Sequence, residues 1–225
     1  RGTYLLKTNV NILSNVILAG VGKDITVLNF GGTTFGVSMS GSSANIQSNM
    51  SLRDLTISSS ASLAGLDIAY SDFFQVINVR VTGCTQKGIR ISGCQKFSFN
   101  NCRSDSNTGI GIDIYGVTSR KTQNYSFITT DVDSNGSDGF NLEFTSLTVD
   151  KGIFINCTAS SNTGDGFDLN SGGAGDHVFI GCFSNDNAGS GFDVNQNNYK
   201  FIGCVVSGNS TPDWDLTGGE SNILI

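Results

Sequence analysis

The sequence predicts an all-β fold, a single-stranded right-handed parallel β-helix of about eight turns with 22–29 residues per turn. Three observations support this prediction. The composition is unsuited to long helices, a four-residue apolar motif recurs along the chain, and a second motif lies at a fixed distance before five of its copies. Self-similarity at such a period is the signature of repeat architectures.

The composition excludes several classes of protein. Gly, Ser, Asn and Thr together make up 100 of the 225 residues, and charged residues make up only 14%. Gly and Asn are poor helix formers, so helical bundles, α-solenoids, coiled coils and doubly wound α/β folds are disfavoured. The hydrophobic fraction of 38%, with 15 Phe, is enough to build a core and argues against disorder.

The charge pattern bears on the partners. The formal net charge is −6, and no run of Lys or Arg is long enough to follow a phosphate backbone, so the sequence predicts no nucleic-acid partner. No apolar run approaches the roughly 20 residues that span a bilayer, so it predicts no membrane partner either.

The apolar motif is a small or polar residue followed by alternating apolar and polar positions. Its seven copies are Gly65-Leu66-Asp67-Ile68, Gly88-Ile89-Arg90-Ile91, Gly111-Ile112-Asp113-Ile114, Gly139-Phe140-Asn141-Leu142, Gly166-Phe167-Asp168-Leu169, Gly191-Phe192-Asp193-Val194 and Asp213-Trp214-Asp215-Leu216. A weaker copy, Gly36-Val37-Ser38-Met39, precedes them.

The second motif ends nine residues before each of the last five copies. Its members are Phe99-Asn100-Asn101-Cys102, Phe127-Ile128-Thr129-Thr130, Phe154-Ile155-Asn156-Cys157, Phe179-Ile180-Gly181-Cys182 and Phe201-Ile202-Gly203-Cys204. Each repeat thus provides short strands joined by polar turns, and it is too small to bury its own apolar face. Stacking the repeats about 4.8 Å apart buries that face, and parallel crossovers are right-handed.

The predicted domain organisation is one β-helix domain over residues 1–225. Residues 1–50 form irregular first turns, and residues 51–225 form the regular repeats. The chain begins without Met, inside a strand-like run, so we expect it to be a fragment of a longer chain.

Side chains alternate along a strand, so Phe167 and Leu169 are predicted to point inward and Asp168 outward. The outward column of the repeats is Asp67, Arg90, Asp113, Asn141, Asp168, Asp193 and Asp215, and the next outward column is Ala69, Ser92, Tyr115, Glu143, Asn170, Asn195 and Thr217. We expect Arg90 to neutralise Asp67 and Asp113. Asp168, Asp193 and Asp215 are left adjacent, which raises a carboxyl pKa or attracts a cation such as Ca²⁺.

Other notable residues favour structural roles. The second-motif cysteines are predicted to stack inside the coil as small apolar residues, and Cys84 and Cys94 could pair as a disulfide. The spacing of Cys and His offers no zinc site, and no other metal ligand set is predicted. His177 is interpreted as a turn residue, and Trp214 as a core residue equivalent to Phe167.

The chain resembles the pectin-lyase-like right-handed β-helix superfamily, and within it the mannuronan C5-epimerase type of repeat. The resemblance rests on Gly2-Thr3-Tyr4, on the segment from Ser14 to Gly22, on Leu52–Ile57 and on the Asp-Gly-Phe-Asn and Asp-Gly-Phe-Asp repeats. It implies a polysaccharide as partner, and lyase, epimerase or hydrolase activity as the enzymatic options. The epimerase motif Tyr-Gly-Phe-Asp-Pro-His aligns with Lys87–Ser92, where Arg90 replaces the Asp and Ser92 replaces the His.

The function hypothesis is a carbohydrate-active module that binds an acidic, uronate-type polysaccharide along the outward Asp/Arg face and cleaves or epimerises it. The candidate catalytic residues are Arg90, Asp113, Tyr115, Glu143 and Asp168. The candidate substrate-binding residues are Asp67, Asn141, Asn170, Asp193 and Asn195. Arg90 would neutralise a uronate, Tyr115 would transfer a proton, and Asp113 paired with Asp168 or Glu143 has the spacing of a hydrolytic carboxyl pair.

Two longer turns, Tyr115–Asn124 with Arg120 and Lys121, and Phe144–Lys151, are predicted to wall a groove beside this face. The alternative hypothesis is a non-catalytic structural or receptor-binding segment of a tailspike-like phage protein or a surface protein. A homotrimer would favour that alternative, whereas a monomer with a closed groove would favour the enzyme. The resemblance implies an extracellular or virion-associated location.

Overall fold

The computed structural model describes residues 2–143, 148–170, 176–217 and 222–225, which form twenty-seven β-strands and no helix. The strands are β1 Gly2–Leu6, β2 Val10–Asn11, β3 Ile17–Ala19, β4 Thr26–Phe30, β5 Phe35–Ser38, β6 Gln47–Ser48, β7 Ser51–Ser59, β8 Ala64–Ala69, β9 Ser71–Asp72, β10 Gln75–Thr82, β11 Lys87–Ser92, β12 Gln95–Asn100, β13 Arg103–Asp105, β14 Ile112–Tyr115, β15 Thr122–Ile128, β16 Asp131–Asp133, β17 Phe140–Glu143, β18 Val149–Ile155, β19 Thr158–Ser160, β20 Phe167–Asp168, β21 His177–Ile180, β22 Phe183–Asn185, β23 Phe192–Asp193, β24 Tyr199–Ile202, β25 Val205–Ser207, β26 Trp214–Asp215 and β27 Ile223–Leu224.

Two parallel sheets wind around one axis. Nine strands form the first sheet in the order β2-β5-β8-β11-β14-β17-β20-β23-β26, and the other eighteen form the second sheet. In the nine-stranded sheet, equivalent residues of successive turns are 22–29 positions apart, from Phe192 to Trp214 at the short end and from Val37 to Leu66 at the long end. In the other sheet the irregular first turn that pairs β3 with β7 spans 34 positions, as from Ile17 to Ser51. Nine stacked strands delimit eight turns, so the predicted β-helix and its turn length are confirmed.

The first turns pair less regularly than the later ones. Strand β1 pairs with β4, and both β3 and β4 pair with the long strand β7. At the other end β27 pairs with β24.

Stacked aromatic rings fill the coil. The second-motif phenylalanines form one column, with centroid separations of 4.5–5.3 Å between successive rings: Phe99, Phe127, Phe154, Phe179 and Phe201. The apolar motif supplies a second column with separations of 4.4–4.9 Å, made by Phe140, Phe167, Phe192 and Trp214. Trp214 takes the core position of Phe167 and Phe192, as predicted, and is half-buried at the end of the column.

A buried asparagine ladder closes the turn that leads into the nine-stranded sheet. Its members are Asn107, Asn135, Asn162, Asn187 and Asn209. The Nδ2 of each of the first four donates to the Oδ1 of the next Asn at 2.9–3.0 Å, and the backbone N–H of the same residue donates to the same oxygen. The last, Asn209, donates to Asp213 Oδ1 at 2.8 Å. The ladder satisfies polar groups that the turns bury. Sequence reasoning treated these residues only as turn formers, although their spacing matches the apolar motif.

The prediction that His177 is a turn residue is wrong. His177 lies in β21 with no exposed surface, and its Nε2 is 2.9 Å from the hydroxyl oxygen of Tyr125. Its ring also stacks on Tyr199, with centroids 5.1 Å apart. A histidine can occupy the core here because a buried hydroxyl satisfies a ring nitrogen.

All six cysteines are free thiols. A Cys84–Cys94 disulfide is absent because the two residues flank opposite ends of the six-residue strand β11, roughly 20 Å of extended chain, whereas a disulfide needs Cα atoms closer than about 7 Å. The predicted cysteine column is confirmed, since Cys102, Cys157 and Cys182 are buried and Cys204 is half-buried at its end.

Candidate functional site

The candidate face is the outward surface of β8, β11, β14, β17, β20, β23 and β26 in the nine-stranded sheet. The strand register places its residues side by side in the predicted order: Asp67 beside Arg90, Arg90 beside Asp113, Asp113 beside Asn141, Asn141 beside Asp168, Asp168 beside Asp193, and Asp193 beside Asp215. Tyr115 lies beside Glu143 in the next column.

Asp67 and Arg90 form a closed ion pair at the first end of the face. Arg90 Nε lies 2.7 Å from Asp67 Oδ1, and Ser40 Oγ donates to Asp67 Oδ2 at 2.9 Å. Asp67 is only 2% exposed. Burial acts to lower the pKa of Arg90, but the hydrogen bond to Asp67 and its charge outweigh burial and raise it. Arg90 is therefore engaged by the protein rather than standing as an open cation.

Asp113 is fully buried, contrary to the prediction that it faces solvent. Lys87 Nζ lies 2.5 Å from its Oδ2, and Asn141 Nδ2 donates to its Oδ1 at 3.0 Å. Burial raises the pKa of Asp113 although Lys87 acts to lower it. The expectation that Arg90 neutralises Asp113 through a direct ion pair is replaced by the Lys87 contact. Sequence reasoning missed Lys87 because it lies two residues before the inward-facing Ile89, and strand alternation therefore assigns its side chain to the core.

Tyr115 and Glu143 mark the transition from the closed part of the face to its open part. Tyr115 is half-buried, with Lys87 Nζ 5.6 Å from its ring centroid, and Glu143 is exposed. Glu143 is close enough for its charge to contribute to the raised pKa of Asp113. Beyond these two residues the outward side chains are acids and amides.

Among the carboxyl groups of this face, Asp168 has the most strongly shifted pKa. Burial, together with the charges of Asp138, Asp193 and Asp165, raises the pKa of Asp168 to about 7. The pKa of Asp193 is raised by burial and by the charge of Asp215. The predicted rise in pKa is confirmed. Asp138 and Asp165 were missed as contributors, although the Asp-Gly-Phe repeat places an acid three residues before the outward position.

Amide side chains run beside these acids. Asn170 Nδ2 donates to Asp168 Oδ1, and Asn195 Nδ2 donates both to Asn170 Oδ1 and, at 2.9 Å, to Asp193 Oδ1. Thr217 Oγ1 donates to Asn195 Oδ1 at 2.7 Å. The open part of the face is therefore a row of hydroxyl, amide and carboxyl groups that extends along the coil axis.

The loop after β14 contacts an earlier turn. Arg120 Nη2 lies 2.6 Å from Asp72 Oδ2 and 2.8 Å from Asp72 Oδ1, so one of the two cations expected to wall a groove is neutralised by the protein. Lys121 is exposed. In the second predicted wall, Phe144–Lys151, residues 144–147 lie outside the described residues.

Metal ligand groups and membrane-spanning helices both bear on the partners. Within the described ranges, no group of three or more His, Cys, Asp or Glu side chains could hold a metal ion. In the same residues no helix has the length and apolarity needed to cross a membrane.

The coil of parallel strands places this chain in the class of parallel β-helix proteins. One polar face runs along the axis of its coil. The family described as "Right handed beta helix region" matches residues 64–225, and the chain belongs to this family. The match confirms the predicted right hand of the coil. A comparison with curated proteins finds no match.

Solved structures similar to this chain share its fold at low identity. The ORF18 protein of Geobacillus virus E2 has a TM-score of 0.77 and 17% identity over 90% of this chain and 43% of its own. The A-module of the Azotobacter vinelandii mannuronan C-5 epimerase AlgE4 has a TM-score of 0.66 and 14% identity, with 93% and 68% coverage. The gp42 tailspike of an Acinetobacter phage has a TM-score of 0.61 and 14% identity, with 90% and 40% coverage. The chain spans less than half the length of the two viral proteins.

Proposed function

We propose that this chain is a carbohydrate-binding β-helix module that binds a polysaccharide along the open part of the candidate face and hydrolyses it there. The observation that carries the proposal is Asp168, a half-buried carboxyl with a pKa near 7, set in an exposed row of amide and carboxyl side chains. Such a row offers hydrogen-bond partners to successive sugar hydroxyls. The names of two similar structures, an epimerase of mannuronan and a phage tailspike, support a glycan as the ligand.

Asp168 is the candidate proton donor, because a carboxyl with this pKa remains partly protonated at neutral pH. Two neighbours could act as the second carboxyl. Asp193 is the register neighbour of Asp168 on the next strand, where backbones are about 4.8 Å apart, a spacing compatible with the carboxyl separation in retaining glycosidases. Glu143 lies one strand away and two residues along, roughly 8 Å, which fits inverting enzymes. Asp113 is a poor partner, because Lys87 and Asn141 occupy its two oxygens.

The charge of the face favours a neutral polysaccharide over the acidic one expected from the sequence. Arg90 and Lys87 are paired with Asp67 and Asp113. The remaining acids would repel a uronate polymer unless a cation bridged the two. Elimination or epimerisation through Arg90 and Tyr115 is the alternative, and it would require Arg90 to exchange Asp67 for the substrate carboxylate.

The test incubates the protein with neutral and uronate polysaccharides, with and without Ca²⁺, and follows new reducing ends and the ultraviolet absorbance of unsaturated products together. We expect reducing ends from a neutral polymer, and activity that falls as the pH rises above about 7 because Asp168 loses its proton. Asp168→Asn should abolish turnover and keep binding, while Asp131→Asn, an exposed acid on the other sheet, should behave as wild type.

Other results discriminate between the alternatives. Unsaturated products from a uronate polymer would replace hydrolysis with elimination. Binding without any product would identify a non-catalytic, receptor-binding module. Turnover that survives in Asp168→Asn would refute the role of Asp168.

A further inference from the structure

A second groove runs along the coil away from the candidate face, over the first part of β10, β12, β15, β18 and β21 in the eighteen-stranded sheet. It has a volume of about 740 Å³. Exposed or half-exposed residues that line it include Phe73, Gln75, Lys96, Ser98, Ser126 and Lys151. We call it the lysine groove. None of the residues assigned to the candidate face lines it.

The backbone along one edge of this groove adopts a left-handed conformation at the same bend of successive turns. The φ angles there are 56° at Asn49, 52° at Phe73, 57° at Lys96, 58° at Asn124 and 54° at Lys151. The register of the flanking strands makes these positions equivalent. Asn tolerates this conformation, whereas Phe and Lys adopt it at an energetic cost. The bend is therefore compatible with Asn throughout, yet three turns present an aromatic ring or an ammonium group.

The described cations fall into a paired set and an unpaired set, and the groove lysines belong to the unpaired set together with Lys7, Lys121 and Lys200. Arg80, Arg90, Arg103, Arg120 and Lys87 each form an ion pair with an aspartate. Within the part of the chain that the structure describes, Lys96 and Lys151 have no carboxylate within ion-pair distance.

The groove therefore keeps positive charge on a chain whose net charge is −6. Lys96 Nζ lies 4.8 Å from the ring centroid of Phe73, which is 53% exposed. The exposed Asp176 lines the far end of the groove and limits the positive charge to the part around Lys96 and Lys151.

We propose that the lysine groove binds an acidic oligosaccharide, with Lys96 and Lys151 contacting its carboxylates and Phe73 packing against a sugar ring. The two lysines are two turns apart, about 9.6 Å along the axis, which is close to the length of two sugar rings. Gln75, Ser98 and Ser126 line the groove in register with one another, each two residues after a bend, and they supply hydrogen bonds to sugar hydroxyls.

This chemistry fits a sugar polymer better than a nucleic acid. A nucleic acid carries a phosphate at every nucleotide and needs a longer basic track than two lysines flanked by an aspartate. The groove has one exposed ring, short polar side chains, the exposed aliphatic Ile153 and two spaced ammonium groups. This lining matches a ligand that combines sugar rings and hydroxyls with widely spaced charges. The acidic sugar expected from the sequence is thereby assigned to a different surface from the one first predicted.

The experiment measures binding of a galacturonate oligomer by calorimetry, with its fully methyl-esterified form as the uncharged probe. The test variant is Lys96→Asn/Lys151→Asn. Asn already occupies the equivalent bend at Asn124, so we expect the variant to fold normally, with an unchanged or higher melting temperature. We expect its affinity for the acidic oligomer to fall roughly tenfold or more, and the salt dependence of binding to weaken.

The control for the loss of a positive charge is Lys7→Asn, an exposed lysine that does not line the groove, and its affinity should equal that of the wild type. Asp168→Asn should also bind the oligomer normally, which separates this site from the proposed function of the candidate face. Undiminished binding in the double variant, equal binding of the methyl ester, or equally tight binding of a single-stranded oligonucleotide would overturn the proposal.

Discussion

The hydroxyl oxygen of Tyr125 lies 2.9 Å from Nε2 of His177, two turns away in the core. Gly152 occupies the equivalent position on the intervening turn, directly beside Tyr125. Since Gly152 has no side chain, the Tyr125 ring can extend over it and reach His177. The pair links two turns by one buried hydrogen bond that passes over the turn between them.

Gly152→Ala tests this arrangement. A Cβ at residue 152 would lie 2.5 Å from Cζ of Tyr125, whose ring is held on its other side by stacking on Phe97. We expect the free energy of unfolding to fall by about 1–3 kcal/mol, as for other overpacked cores. Urea denaturation measures the change, and Gly31→Ala is the control because a Cβ there meets no atom within 4 Å. Equal stability of the two variants would contradict the role of Gly152.

The asparagine ladder should be most sensitive in its middle. Asn162→Ala removes the acceptor of two Asn135 donors and the donor to the backbone carbonyl of Val132. Buried polar groups left without partners should lower the free energy of unfolding by about 2–4 kcal/mol. Asn100→Ala, at an exposed position, is the matched substitution and should change stability little. Denaturant titration of both variants provides the measurement, and a similar small loss in each would refute the ladder's contribution.

Lys87→Met tests how much Lys87 stabilises the buried carboxylate of Asp113. The substitution leaves a fully buried carboxylate without its ion-pair partner, and we expect a loss of about 3 kcal/mol at pH 7. The loss should shrink at lower pH, because protonation of Asp113 removes the uncompensated charge. Lys87→Met/Asp113→Asn should recover part of the stability. A double-mutant cycle at two pH values measures the coupling, and additive losses would show that the pair is not coupled.

Asp168 should make stability depend on pH. Its pKa in the folded protein, about 7, exceeds the ordinary value of 3.8, so the folded state binds more protons between those two values. The contribution of Asp168 to stability is therefore present at low pH and is lost as the pH rises from about 4 to 7. Because the carboxyl is partly exposed, we expect a change on the order of 1 kcal/mol.

Denaturation of Asp168→Asn across this pH range measures that contribution. The free energy of unfolding should fall less steeply with pH than in the wild type, and Asp131→Asn is the control for the loss of one acid. The slope that remains should come from Asp113, Asp165 and Asp193, whose pKa values are also raised. An unchanged slope in Asp168→Asn would exclude the raised pKa.

The thiols should be inert in the native protein. Burial raises the pKa of Cys84 and Cys94 to about 12 and that of Cys102 to about 11, so only about a thousandth or less of each is thiolate at pH 8. The pKa of Cys204 is raised as well, by its contact with Cys182 and by burial. Because Cys204 is only half-buried, we expect a colorimetric disulfide reagent to modify it slowly but before the other thiols, and all six thiols only in denaturant. Cys204→Ser should remove the native-state reaction. Fast modification of several thiols in the native protein would contradict the buried column.

Several features were predictable because they repeat. The apolar motif and the second motif lie at matched spacings, and a parallel coil converts equal spacing into adjacency. The outward order from Asp67 to Asp215 and the Phe and Cys columns follow from strand alternation alone, and the structure has each of them as predicted. The asparagine ladder could have been found by the same reasoning, since its spacing is that of the motif.

The features that sequence reasoning missed depend on side-chain reach across turns. Lys87 binds Asp113 from a position that alternation assigns to the core, and Tyr125 reaches His177 only because residue 152 is Gly. Burial of Asp113 is another example, because Lys87 and Asn141 cover a residue whose strand position points outward. The repeat predicts that Asn141 neighbours Asp113, but strand alternation does not place Lys87 beside Asp113 or Tyr125 beside His177.

The sequence by itself determined the coil, the length of its turns and the residues that share each face, because a strict repeat leaves one way to bury every apolar position. The tertiary structure alone decided which charged groups are already paired and which remain open. Arg90 and Lys87 are paired with acids, whereas Lys96 and Lys151 are not. The reason is physical: ion pairing depends on a few ångströms between flexible side-chain ends, which periodicity in a sequence does not specify.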